Sequence, residues 1–151
     1  MYKQILVAVD GSETSNLALR EAIKLAKDQK AKLRLVHVVD ETPAYLMMDA
    51  EAPYLVADLQ KALQTVGQKV LSTCADVVRE AGIEADTTLK TTKAIGLRIY
   101  EAIEEEATRW PADLIVIGTH GRRGFRRLML GSVAEGVTRI ATKPVLLIRG
   151  S

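Results

Sequence analysis

Aromatic side chains make up only 4% of this chain, with one Trp and one Phe, so any core has to be filled by aliphatic residues. There is one cysteine, Cys74, which excludes an internal disulfide and suits a reducing compartment. No apolar run approaches the roughly 18 residues of a membrane span. The first such run, residues 5–9, is ended by Asp10 and is too short for the core of a signal peptide. Cytoplasmic residence with no membrane partner is the default expectation. An excess of either charge is also missing: 21 basic residues stand against 19 acidic ones. That balance gives no reason to expect nonspecific nucleic-acid binding. Neither an internal repeat nor a low-complexity linker interrupts the 151 residues. With 48% hydrophobic residues the chain reads as one domain, 1–151, with material for a real core.

What is present alternates. Residues 5–9 and 33–39 are apolar runs of the kind buried on both faces of a sheet. Between them Asp10-Gly11-Ser12 reads as a turn, Ser12 as a helix cap, and Ala18, Ala22, Leu25 and Ala26 recur at helical spacing. Residues 40–53, bounded by Pro43 and Pro53, read as an irregular connection carrying Tyr45, Leu46, Met47 and Met48. Leu59, Leu63, Val66, Val70 and Val77 predict a long helix over 57–81, stopped by Gly82. The polar alternation of 83–91 predicts a strand, 95–108 a helix, 114–117 a strand, 132–141 a helix and Val145–Ile148 a last strand. The order β-α-β-α-β-α-β-α-β implies an α/β fold with a parallel sheet covered on both faces. Right-handed crossovers and a single reversal predict five strands in the order 3-2-1-4-5. The polar third strand and the apolar fifth are then the edges, and Asp10 comes beside Gly118 at the switch.

The chemistry concentrates there. Gly118-Thr119-His120-Gly121 follows a buried strand, and Gly131-Ser132 opens the next helix. Small residues let the backbone approach an anion and adopt positive φ, and the N–H groups of a helix start point at it. Each glycine alone can be a turn residue; the ordered set points to phosphate. Ser132 can cap the last helix with Glu135 as its capping-box partner, and can also meet the anion. No Gly-x4-Gly-Lys-Ser/Thr occurs, and the first turn is not Gly-x-Gly-x-x-Gly, which excludes a P-loop and a dinucleotide fingerprint. Asp10 can accept from ribose hydroxyls, hold a metal ion, or order its own loop as an Asx-turn. The backbone of Val38, at the end of the second strand, can read an adenine edge. Of Arg122, Arg123, Arg126 and Arg127, one or two can pair with a triphosphate and the rest solvate the surface. His120 orders the loop or contacts phosphate, His37 is a hydrogen-bonded buried imidazole, and Cys74 packs as a small hydrophobe.

These motifs resemble the universal stress protein family, in its ATP-binding branch, over essentially the whole chain. The likeness rests on residues 5–13, on Leu35-Val36-His37-Val38, on Gly118-x2-Gly121-x9-Gly131-Ser132, and on Val133-Ala134-Glu135 through Lys143-Pro144 to Ile148. It implies a Rossmann-like, adenine nucleotide alpha hydrolase-like fold with ATP, and Mg2+ with it, as the ligand. Ala8 and Val9 would form a pocket wall, Val38 would contact adenine, and Asp10 the ribose or metal. Gly118, Thr119, His120, Gly121, Arg122, Gly131, Ser132 and Val133 would surround ribose and phosphates. It also implies a homodimer paired through the last strand. Thr92-Lys93-Ala94 departs from the Gly-x-Pro that relatives often carry. The expected function is that of a nucleotide-gated regulatory protein in the stress response, not an enzyme. The alternatives are a slow Mg-dependent ATPase or phosphotransferase, with Asp10 and Ser132 on the metal and His120 assisting water, and a nucleotide-free interaction module.

Overall fold

The computed structural model describes residues 1–49, 52–92, 97–120 and 130–150. Five parallel strands, β1 (Gln4–Ala8), β2 (Lys32–Val39), β3 (Ala85–Thr91), β4 (Leu114–Gly118) and β5 (Val145–Ile148), lie in the order β3-β2-β1-β4-β5. The helices are α1 (Glu13–Gln29), α2 (Thr42–Asp49), α3 (Val56–Glu80), α4 (Ile99–Arg109) and α5 (Ser132–Ile140). Period-2 alternation splits the central strands between two cores. Ile5 and Val7 pack with Ala18, Leu19, Leu71 and Val78 of α1 and α3, while Leu6 packs with Ile103, Ala107 and Val137 of α4 and α5. Each such buried aliphatic side chain contributes about 1.5–3 kcal/mol, which is how a core poor in aromatics is stable.

Local chemistry fixes the helix ends. Ser12 Oγ accepts the Ser15 N–H at 3.2 Å and caps α1. Gly82, at φ +86, ends α3: its N–H reaches Arg79 O and the Ile83 N–H reaches Val78 O, a Schellman pair. The expectation of irregular chain over 40–53 is corrected by α2. Asp40 Oδ1 accepts the Thr42 N–H at 3.0 Å, and Pro43 sits in the first turn, where its missing N–H costs nothing. Tyr45, Leu46 and Met47 are consecutive apolar residues, so no 3.6-residue stripe announces the helix. The helix expected from residue 95 begins at Ile99; residues 95 and 96 lie outside the described residues.

The amino edge of the sheet is clamped. The Asp113 carboxylate accepts the N–H groups of Lys3 and Gln4, and Gln4 Nε2 donates to the carbonyls of Trp110 and Pro111. On the α4 side the fully buried Glu106 accepts from Arg34 at 2.8 Å and pairs with Arg109 at 2.7 Å, while Arg34 lies 4.9 Å from the centre of the Trp110 ring. Removing one partner of such a buried pair costs about 3–5 kcal/mol, so this cluster locks α4 to β2. Next to it the Lys90 hydrogen bond holds the exposed Glu105 carboxyl below its ordinary range.

Two glycines lie inside helices, each where a methyl group has no room. A Cβ on Gly67 would meet Leu89, Val39 and His37 at 2.8–3.0 Å, and one on Gly136 would stand 2.2 Å from Tyr100 Cγ and Cδ1. Helix propensity alone favours Ala over Gly by about 1 kcal/mol, yet overpacking costs about 1–3 kcal/mol. Gly136→Ala is therefore expected to lower stability in urea denaturation, and the same change in a Tyr100→Ala background to raise it by up to about 1 kcal/mol. A gain in the otherwise unaltered chain would contradict the contact.

Candidate functional site

The chain leaves β1 for β2 and β3 on one side and returns as β4 and β5 on the other. Beyond the carboxyl ends of the strands that diverge here lies a cavity of about 700 Å3, a volume suited to a nucleotide-sized ligand. Ala8, Val9 and Asp10 line it from β1, and Val38 from β2. Gly118, Thr119 and His120 line it after β4, and Gly131, Ser132 and Val133 at the entry to α5. Ten of the expected site residues are thus brought together. Gly121 and Arg122, with Arg123, Arg126 and Arg127, lie outside the described residues.

Asp10 orders its own loop. Its Oδ1 accepts the Ser12 N–H at 2.9 Å, an Asx-turn that needs Gly11 at φ +82, and its N–H donates to Ser15 Oγ at 3.0 Å. Oδ2 makes no hydrogen bond among the described residues, so the carboxylate keeps acceptor capacity beside the cavity. The same charge, after burial, raises the Cys74 thiol above its ordinary range; the residue is a packed hydrophobe in the α1–α3 core.

The backbone N–H and C=O of Val38 have no partner among the described residues. Along β2, Val36 faces β1, since its carbonyl accepts the Val9 N–H at 2.9 Å, and Val39 faces β3, since its carbonyl accepts the Thr92 N–H. Alternation turns the N–H and C=O of Val38 back to the β1 side. The β1–β2 register ends at Ala8↔Val36, so these groups emerge past the last rung.

At β4 the reasons for Gly118 and Gly131 differ from those read in the sequence. A Cβ on Gly118 would stand 2.8 Å from Thr14 Cγ2 and 3.1 Å from the Thr14 backbone, so the close approach that requires a glycine is to α1. Gly131 has φ −63 and ψ 155, which any residue adopts. Its N–H donates to Thr119 O at 2.7 Å, and the Thr119 N–H donates to Ile148 O at 2.9 Å. These two amides are spent in closing the base of the connection between residues 119 and 131. His120 Nδ1 lies 3.0 Å from the Thr119 hydroxyl, a local bond that orders the same rim.

Ser132 is not the cap of α5. Gly131 takes that position, no side chain caps the helix, and the expected Ser132–Glu135 box does not form. The first intrahelical bond is from Glu135 N–H to Gly131 O. The N–H groups of Ser132, Val133 and Ala134, all lining the cavity, therefore have no partner among the described residues. An uncapped start concentrates the positive end of the helix dipole there.

Sequence reading missed the opposite walls. Ile99, Tyr100 and Ile103 come from the start of α4, Leu63 and Val66 from α3, and Thr42 and Pro43 from α2. Their spacing reads as ordinary core, and only Val66, 51% exposed despite its place in the apolar stripe, hints otherwise. Thr92, within the departing tripeptide, accepts the Glu41 N–H on Oγ1 at 2.9 Å and so ties the second connection to the end of β3. Among the described residues no cluster of His, Cys, Asp and Glu could hold a metal alone, and no helix is long and apolar enough to cross a membrane.

The profile of the Universal stress protein family matches residues 1–149. The universal stress protein YxiE of Bacillus subtilis is 33% identical over 153 residues, covering 99% of this chain and 100% of that protein. A universal stress protein family structure from Burkholderia pseudomallei is similar with a TM-score of 0.73 at 34% identity, over 99% of this chain and 97% of the other. The universal stress protein from Archaeoglobus fulgidus in complex with dAMP gives a TM-score of 0.67 at 26% identity, over 98% of both chains. Fold, strand order and these likenesses agree: the chain belongs to the universal stress protein family.

Proposed function

We propose that this protein binds an adenine nucleotide, ATP foremost, across the switch of its sheet, and acts as a nucleotide-gated regulatory protein rather than an enzyme. One observation carries the reading: Ser132, Val133 and Ala134, whose N–H groups have no partner among the described residues, line the same cavity as Val38, whose backbone N–H and C=O have none there either. Backbone donors at a helix start suit phosphate oxygens, and a main-chain donor–acceptor pair suits the edge of a base. The dAMP complex of the Archaeoglobus relative supports the ligand class. Asp10 Oδ2 would accept from ribose hydroxyls. A magnesium ion arriving with the polyphosphate would find Asp10 and the Ser132 hydroxyl as its ligands on this chain, and would supply neutralising charge.

A second copy would pair with β5, a four-residue edge strand whose side chains are only half buried. Sedimentation equilibrium is expected to give twice the 16.5 kDa chain mass, and a single-chain mass would overturn that pairing.

Purified protein, denatured and extracted, should release an adenine nucleotide, and calorimetry on the emptied protein should return a Kd in the micromolar range, about −8 kcal/mol. Gly131 holds the N-cap of α5, where Val caps less well than Gly, so Gly131→Val is expected to cost up to about 1 kcal/mol of stability while weakening ATP by more than about tenfold. Equal affinity in both proteins would reject the cradle. Asp10 separates its two roles. Asp10→Asn keeps an acceptor for the Ser12 N–H and should hold stability while weakening ATP. Asp10→Ala should lose affinity and, in addition, about 0.5–1.5 kcal/mol of stability in denaturation.

A further inference from the structure

His37 Nδ1 lies 2.7 Å from the Val9 carbonyl. A carbonyl only accepts, so Nδ1 carries the proton and donates. The ring reaches that oxygen from the α3 side of the sheet, where Gly67 leaves it room: a Cβ on Gly67 would stand 3.0 Å from His37 Cδ2. In a regular parallel ladder the Val9 carbonyl would take the next rung, from the Val38 N–H, because the Val9 N–H already donates to Val36 O. That rung is absent, and the register stops at Ala8↔Val36.

We propose that His37 is a positioning residue for base recognition: its imidazole draws the Val9 carbonyl out of the ladder and thereby leaves the Val38 N–H free for a purine. The proposal rests on the adenine-nucleotide reading of the cavity and assigns it a selectivity. A free N–H donor matches the unprotonated ring nitrogen N1 of adenine and opposes the N1–H of guanine, so the site takes adenine over guanine nucleotides. A side chain on one face of β2 in this way sets the hydrogen-bonding state of the next residue's backbone. His37 itself need touch no ligand.

The test compares His37→Phe and His37→Asn with the unaltered protein, using AMP, GMP and ribose 5-phosphate as probes in calorimetry. The Phe variant lacks the donor, so the Val38 N–H should close onto Val9 O. AMP affinity should then fall about tenfold, the worth of one hydrogen bond, with the preference over GMP narrowing and ribose 5-phosphate unchanged. The Asn variant keeps a short donor and should restore AMP binding. A parallel loss of AMP and ribose 5-phosphate would mean a general packing defect and overturn the proposal, as would unchanged AMP affinity in the Phe variant. Amide exchange in the nucleotide-free protein decides the geometry independently of any ligand. Val38 should exchange faster than Val36 in the unaltered protein and slow down in the Phe variant. Equal protection of the two amides in the unaltered protein would overturn the proposal even if the Phe variant failed to fold. If no adenine nucleotide bound the unaltered protein, the adenine reading would fall, while the exchange rates would still decide what His37 does to the ladder.

Discussion

A parallel strand flanked by two neighbours whose connections run in opposite directions has its backbone satisfied along its length and deserted at its carboxyl end. β1 is that strand. Ile5, Leu6 and Val7 are fully buried between the two helical layers, and β2 and β4 pair with it on either side. The last rung is at Ala8, and beyond it no strand continues the ladder. Backbone polar groups cannot stay unsatisfied in a dry interior, so this point must be wet or occupied. The cavity, the Asp10 turn, the open end of β2 and the bare start of α5 all gather around that interruption. The amino edge, in contrast, is closed by Asp113 and Gln4 and by the buried Glu106 cluster. One end of the sheet is built to hold, the other to receive.

Much of this architecture was legible in the sequence, for a physical reason. Strands buried on both faces are written as unbroken apolar runs, and helices between them carry a 3.6-residue stripe, so β1, β2, β4, β5 and α3 were found within a residue or two of their bounds, and α1 by its stripe and cap. The order of the strands followed from the handedness of crossovers and a single reversal, which also put the polar third strand at an edge. α2 was missed because it packs without an amphipathic stripe: Leu46 is 64% exposed. The consequence of Gly67 could not be read either, since only the fold puts Leu89, Val39 and His37 beneath it.

The site was legible in place more than in cause. Asp10, Val38 and the Gly131–Val133 stretch were expected to meet, and they line one cavity. The roles assigned to Gly118 and Gly131, however, shifted. Gly118 makes room for Thr14, and Gly131 has ordinary dihedral angles and an internally bonded amide. The amides left without a partner among the described residues sit one residue further on, in residues that carry side chains. A sequence motif records where small residues are needed but not which neighbour needs them. The walls from α3 and α4 are silent in sequence because residues that face a cavity and residues that face a core share the same hydrophobic spacing.

The ring of Tyr100 against Gly136 has a consequence for how this chain can change over time. Position 136 has no freedom while an aromatic ring occupies position 100, and position 100 can shrink without leaving a void only if position 136 grows. The two sites are therefore bound into a single evolutionary character. Among relatives, small-with-aromatic and larger-with-small combinations should persist, and the order in which the two substitutions arise should be constrained, with loss of the ring coming first.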